Sequence, residues 1–300
     1  VQKSEELLDS YAAHLKACMQ LSEKTIKAYI YDIRKFFVFL IGRSDVDSVD
    51  FDSVDMPSLL KKVQTQDIYA FAYHVKHVEK KRDITSNRRL TSLKSFFDYL
   101  GYVNFIETKN PVESVERYKT ISAAPNYLSE ETLNKLFEKI RYRNKYRDIA
   151  ILMLISNCAL KASEISEIKI SDYNGSILLT PKKTIKLNDE CKRAIDDYIN
   201  TERYKTGSEY LFSSQKNDKI SVRTIQHIIK NLRVDSELKD NVTSKSIRNT
   251  SILRLIESNI KPEEIHKYLG YKKSLSFEKH FKRDISDDPV YLDLDEIKKK

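Results

Sequence analysis

The side chains best able to hold a metal or act as nucleophiles are six histidines and three cysteines, and their spacing supports neither role. Cys18, Cys158 and Cys191 lie far apart in the chain and form no CxxC pair, so no disulfide framework or zinc ligand set is read from them. Reduced, half-buried thiols are expected. No HExxH or comparable pair joins the histidines, and no metal is expected. What the chain offers is cationic chemistry. Lys and Arg number 53 against 44 Asp and Glu, a net charge of +9, and the pI is about 9.1. Such a balance points to a polyanionic partner, nucleic acid first. Residues 1–120 hold 19 Lys+Arg against 17 Asp+Glu, and residues 121–300 hold 34 against 27, so most of the excess sits in the second part. The acidic run Asp45, Asp47, Asp50, Asp52, Asp55 would repel phosphate and is expected in a loop facing away from it.

The elements that must position these cations are mostly helical. Hydrophobic residues make up 40% of the 300, while Gly and Pro number only 5 and 6, which suits a mainly α protein of two domains. Leu7, Leu8, Tyr11, Leu15 and Cys18 recur at helical spacing over 4–20. Ser22 reads as an N-cap, and Ile26 to Leu40 carry an apolar stripe that Gly42 ends. The opposite face, with Thr25 in its first turn and Lys24, Lys27, Arg34 and Lys35, is open to solvent or to phosphate. Residues 43–57 read as loop, Thr65–Lys80 as a third helix, and Thr85–Leu100 as a fourth, capped by Thr85 or Ser86 and bearing Arg88, Arg89 and Lys94. Asn110 to Lys119 reads as a turn leading outward. Residues 120–128 contain Pro125, lack helical period and are read as a linker. Ser129 then caps another helix. Asp148–Asn157 is an apolar buried helix and Ala162–Ile168 a short one. Ser176–Thr180 and Thr184–Leu187 flank Pro181 as a small hairpin, and helices resume at Asp189, Val222, Ser244 and Pro262. The expected architecture is a four-helix bundle over 1–119, a linker over 120–128, and over 129–300 a helical domain with one small antiparallel sheet. No apolar run reaches the roughly 20 residues of a membrane span. Residues 1–9 are polar, without a signal-peptide pattern, and the cytoplasm is the expected compartment.

Several segments, in order along the chain, resemble the tyrosine recombinase (phage integrase) family. Ser22 to Leu40 is similar to its opening core-binding helix. Ser86 to Leu100, followed by Asn110-Pro-Val, resembles its last core-binding helix. Tyr127-Leu-Ser-Glu-Glu-Thr-Leu133 resembles the start of its catalytic domain. Ala159-Leu-Lys-Ala-Ser-Glu-Ile165 stands where the family has G-L-R-x-S-E-L, Lys245-Ser-Ile-Arg-Asn-Thr250 where it has H-x-L-R-H-T, and Leu269-Gly-Tyr271 where it has L-G-H. The resemblance implies a SAM-like core-binding bundle and a catalytic-type domain that together clamp duplex DNA. DNA-facing roles then fall to Thr25, Lys27, Arg34, Lys35, Arg88, Arg89 and Lys94, with binding that weakens steeply in salt.

Recombination of that kind is phosphoryl transfer without metal, ATP or other cofactor. A tyrosine attacks a backbone phosphate, two arginines hold the non-bridging oxygens, and a hairpin lysine and histidines move protons. Carried over by resemblance, the first arginine falls on Lys161, which keeps charge but loses the bidentate fork. The hairpin lysine falls on Lys182 or Lys183, the first histidine on Lys245, the second arginine on Arg248, and the second histidine on Tyr271. The nucleophile position, nine residues further on, is His280. No tyrosine lies between Tyr271 and Tyr291. The implied function is DNA binding in integration or site-specific recombination by a protein unable to cleave DNA itself. The alternatives are a divergent active recombinase and a protein-interaction subunit of a recombination complex. The tail, with Val290, Leu292, Leu294 and Ile297, would dock on itself or in a second copy or partner recombinase.

Overall fold

Amphipathic periodicity decides the first part of the chain. In the computed structural model, which describes residues 4–270 except 108, 121–124, 141–143, 182, 204–206, 215, 217 and 259, the chain forms two compact units, Val1–Ala123 and Ala124–Lys300. In the first, α1 (Ser4–Ala17) buries Leu7, Leu8, Tyr11 and Leu15. α2 (Glu23–Leu40) is capped by the Ser22 hydroxyl, which accepts the Thr25 N–H at 3.3 Å, and it buries Ile26, Ile33, Phe36 and Phe37. The stripes meet those of α4 (Thr65–Tyr73) and α5 (Asp83–Tyr102) in an aromatic core. Phe36 stands edge-on to Phe71 at 5.2 Å, and Tyr11 edge-on to Phe96 at 5.1 Å.

The first unit departs from expectation in four places. A short helix, α3 (Met56–Lys62), follows the acidic run, because the Asp55 carboxylate accepts the Ser58 N–H at 3.2 Å. The third predicted helix ends at Tyr73 and continues as a π turn over His74–Val78. α5 starts at Asp83, so neither Thr85 nor Ser86 is its cap; Ser86 is buried inside the helix. The segment after Pro111 does not lead outward. Asn87 accepts the Tyr118 N–H at 2.9 Å and donates to its carbonyl at 2.8 Å, and the Lys76 ammonium sits 4.2 Å from the Tyr118 ring centre.

In the second unit, α6 (Glu130–Glu138) is capped by Ser129. Leu128, at the end of the predicted linker, is buried in this unit's core, and its N–H donates to Thr250 Oγ1 at 2.8 Å. α7 (Lys145–Ser156) is the central apolar helix. After the short α8 (Ala162–Ile165), β1 (Ile177–Thr180) and β2 (Lys183–Lys186) pair antiparallel with Leu178 opposite Ile185 and Thr180 opposite Lys183. Side chains alternate faces along a strand, so Lys183 shares the inward face with buried Ile185. α9 (Asp189–Thr201), α10 (Val222–Asp235), α11 (Ser244–Glu257) and α12 (Pro262–Tyr268) complete the unit, and Asn188, Ser221 and Thr243 cap the first three of these. Cys158 and Cys191, 33 positions apart, are not separated in space. Their sulfurs lie 3.8 Å apart and both are fully buried, while Cys18 is exposed. Among the described residues no helix is long and apolar enough to cross a membrane, and no group of three or more His, Cys, Asp or Glu is placed to hold a metal ion.

Candidate functional site

The turn that follows α7 organises the second unit's cations. α7 ends because Ala159 adopts a left-handed conformation, φ 51°, letting the Leu160 N–H close back on the Leu154 carbonyl at 3.2 Å. A residue with a Cβ is strained there by about 1 kcal/mol relative to glycine. The turn leaves two successive carbonyls, of Cys158 and Ala159, facing side chains from elsewhere in the unit. Arg248, on α11, is buried and donates from Nε to the Ala159 carbonyl at 2.7 Å. Lys183, at the start of β2, donates from Nζ to the Cys158 carbonyl at 3.1 Å. The Tyr268 hydroxyl, from α12, donates to that same carbonyl at 3.2 Å, and the Lys183 ammonium lies 4.4 Å from the centre of its ring.

Lys161 caps α8 from the far side of the same turn. Its N–H donates to Glu164 Oε2 at 2.9 Å. Burial lowers the Lys183 ammonium to about 8; the charges of Arg248 and Lys161 push the same way, and that of Glu164 opposes them. Desolvation keeps the buried Tyr268 hydroxyl far above its ordinary value, so it stays neutral. Lys183 is thus within electrostatic reach of both Lys161 and Arg248. Lys245 is exposed on the first turn of α11, three residues before Arg248, and so on the same side of the helix. Lys182, Tyr271 and His280 lie outside the described residues, as does the tail beyond 270. Of the two candidate hairpin lysines, the described one faces inward because of the strand register.

Chemically, the turn gathers cationic donors of the kind that can stabilise an oxyanion. Arg248 is tethered through Nε, which fixes the plane of its guanidinium, and Lys183 is held by the Cys158 carbonyl. Sequence reasoning missed Tyr268 and the two carbonyls. Tyr268 reads only as a stripe residue of a short helix, and a main-chain acceptor has no signature in residue type.

The first unit's candidates are placed differently. Lys27 is exposed. Thr25 is half-buried and engaged with the Ser22 cap. Arg34 donates to Glu5 at 2.6 Å and lies over the Phe51 ring. Lys35 is half-buried, 3.5 Å from the Ser44 carbonyl. Arg88 forms a two-pronged pair with fully buried Asp32, and Lys94 pairs with Asp98 at 3.2 Å. Arg89 is the clear departure. Expected to face phosphate, it is 4% exposed and grips Glu79 through two 3.0 Å bonds. A buried guanidinium needs a counter-charge, and here it holds α5 to the segment after α4.

Comparison with known proteins sets this arrangement in context. The sequence pattern of the phage integrase family matches residues 126–281, and that of the phage integrase N-terminal SAM-like domain matches residues 8–101. A tyrosine recombinase XerC of Caldanaerobacter subterraneus subsp. tengcongensis is 30% identical, over 88% of this chain and 79% of its own. A tyrosine recombinase of Pseudothermotoga lettingae is 26% identical, over 89% and 90%. Among solved structures, a lambda integrase (75–356) dimer bound to a COC' core site is similar with a TM-score of 0.66 at 17% identity, covering 97% of this chain and 100% of that one. The XerH site-specific recombinase bound to its difH substrate in a pre-cleavage complex is similar with a TM-score of 0.66 at 16% identity, covering 92% and 81%.

Proposed function

The chain belongs to the phage integrase family, and on that premise we propose that it binds duplex DNA in integration or site-specific recombination, gripping a backbone phosphate with Lys161, Lys183 and Arg248 without cutting the strand. The observation that carries the reading is the anchoring of Lys183 and Arg248 on the adjacent carbonyls of Cys158 and Ala159. It brings cations from a hairpin and a distant helix to one place. Residues 1–119 serve as the core-binding domain, 120–128 as the linker and 129–300 as the catalytic-type domain. The tail seats in a second copy when the DNA-bound complex assembles, in keeping with the dimeric lambda integrase complex.

Two substitutions argue against cleavage. Lys161 replaces a guanidinium with a point charge, and losing one oriented oxyanion donor costs roughly 10²–10³ in rate. No tyrosine stands between 271 and 291. A nicked suicide duplex, built from genomic fragments that the protein retains, tests this. The expected result is retention without any covalent product on a denaturing gel. An adduct whose linked peptide carried His280 or Tyr291 would instead establish the second reading, an active divergent recombinase. That reading is favoured by the Lys183 ammonium, held at about 8, where a side chain both gives and takes a proton near neutrality.

The same lysine predicts opposite pH trends in binding and stability. Its ammonium is charged below about 8, so duplex affinity should be level through neutrality and fall as pH rises past that value. In the free protein the trend reverses. Between about 8 and the ordinary lysine value of 10.5, the unfolded chain carries the proton and the folded one does not, so stability rises with pH. Both trends should flatten in Lys183→Met, as read by fluorescence anisotropy and denaturant melts. A wild-type affinity level across the whole window would show that Lys183 does not reach the phosphate.

A further inference from the structure

The thiols of Cys158 and Cys191 take no part in the grip described above, although the Cys158 carbonyl anchors it. Their sulfurs are 3.8 Å apart in the core. A disulfide requires about 2.05 Å, so closure needs one side to move by less than an atom's diameter. The two sides differ in freedom. Cys191 lies in the first turn of α9, its N–H held at 3.0 Å by the Asn188 side chain. Cys158 lies in the irregular turn after α7, next to left-handed Ala159. The turn is therefore the part that yields. It is also where the carbonyls that hold Lys183, Tyr268 and Arg248 are mounted.

We infer that Cys158 and Cys191 form a peroxide-responsive thiol pair whose oxidation to a disulfide shifts the 158–161 turn and loosens the cationic pocket. Full burial of both thiols excludes bulky disulfide oxidants, so the oxidant is a small one, such as hydrogen peroxide, admitted by a local opening of the turn. One thiol sulfur attacks a peroxide oxygen. The O–O bond breaks, and the departing hydroxide takes that thiol's proton to leave as water, giving a sulfenic acid. The other sulfur displaces the hydroxyl, which leaves as a second water with the remaining thiol proton, and the S–S bond forms. Two sulfurs are oxidised and the two peroxide oxygens reduced. The disulfide stands independently of the proposed function; its effect on duplex binding rests on that reading.

The test treats the reduced full chain with hydrogen peroxide, blocks residual thiols, and analyses peptides by mass spectrometry alongside duplex binding and the NMR signal of the Lys183 side-chain methylene. The expected result is a peptide cross-linked between 158 and 191, a shifted Lys183 signal, and duplex affinity lower by about tenfold, the worth of one well-placed charged contact. A thiol reductant should reverse all three. Cys191→Ala should bind like the reduced wild type and ignore peroxide. Absence of the cross-link overturns the inference, and so does a cross-link that leaves the Lys183 signal in place. A cross-link with a moved signal in a protein that never retains duplex supports the thiol pair and sinks only the DNA-binding reading.

Discussion

Asp32→Ala is expected to destabilise the first unit by about 3–5 kcal/mol, the cost of stripping a counter-charge from a buried ion cluster. Asp32 is fully buried in α2. It accepts from both guanidinium ends of Arg88, one at 2.9 Å, and from Ser92 Oγ at 2.8 Å, and Arg89 Nε lies 3.7 Å away. Alanine removes the acceptor and leaves Arg89, 4% exposed, to its pair with Glu79. Far-UV circular dichroism during urea unfolding should show an early transition in the variant, with the second unit's transition unmoved, because the two units have separate cores. The comparison is Lys94→Ala, which breaks an exposed pair four residues apart on one helix and should cost no more than about 0.5 kcal/mol. If Asp32→Ala cost less than about 1 kcal/mol, the range of a typical single hydrogen bond, the cluster would not be the tie between α2 and α5 described above.

Arg248→Ala is expected to weaken duplex binding by about a hundredfold at low salt, since a hydrogen bond to a charged group contributes about 1.5–3 kcal/mol and truncation also frees the turn. The side chain is buried and its Nε is committed to the Ala159 carbonyl at 2.7 Å, so the plane of its guanidinium is fixed. The slope of log affinity against log salt should fall by about one, the signature of one lost phosphate contact. Arg248→Lys keeps the charge without the tether and should fall between the two. Lys245→Ala removes an exposed cation and should lower the slope similarly while costing less affinity. A loss under threefold for Arg248→Ala would mean that phosphate is held elsewhere.

Much of the fold is legible in the residues themselves, for identifiable reasons. Ser22 and Ser129 announce helices because a side-chain oxygen at that position satisfies an N–H that has no helical partner. The stripe from Ile26 to Phe37 and the alternation around Leu178 and Ile185 are local periodicities, and local periodicity survives into the structure. What was not legible is mostly nonlocal. Nothing in their types or spacing says that Cys158 and Cys191 meet, since the packing of α7 on α9 brings them together. Charge misled at Arg89, because guanidinium implies surface unless two carboxylates wait inside, and Glu79 and Asp32 do. That Lys183 shares the face of Ile185 depends on a one-residue register, which decides strand face but leaves no mark in a short lysine-rich hairpin. α3 was hidden because Asp55 reads as one more acid in a run of acids, when it is also a cap.

Lys183 and Arg248 are both moored to peptide oxygens, and every residue type supplies a peptide oxygen. The mooring posts therefore tolerate replacement of the side chains at 158 and 159, provided the chain still bends there. The direction in which the two cations point is thus written into the bend of the main chain and not into the side chains that line it.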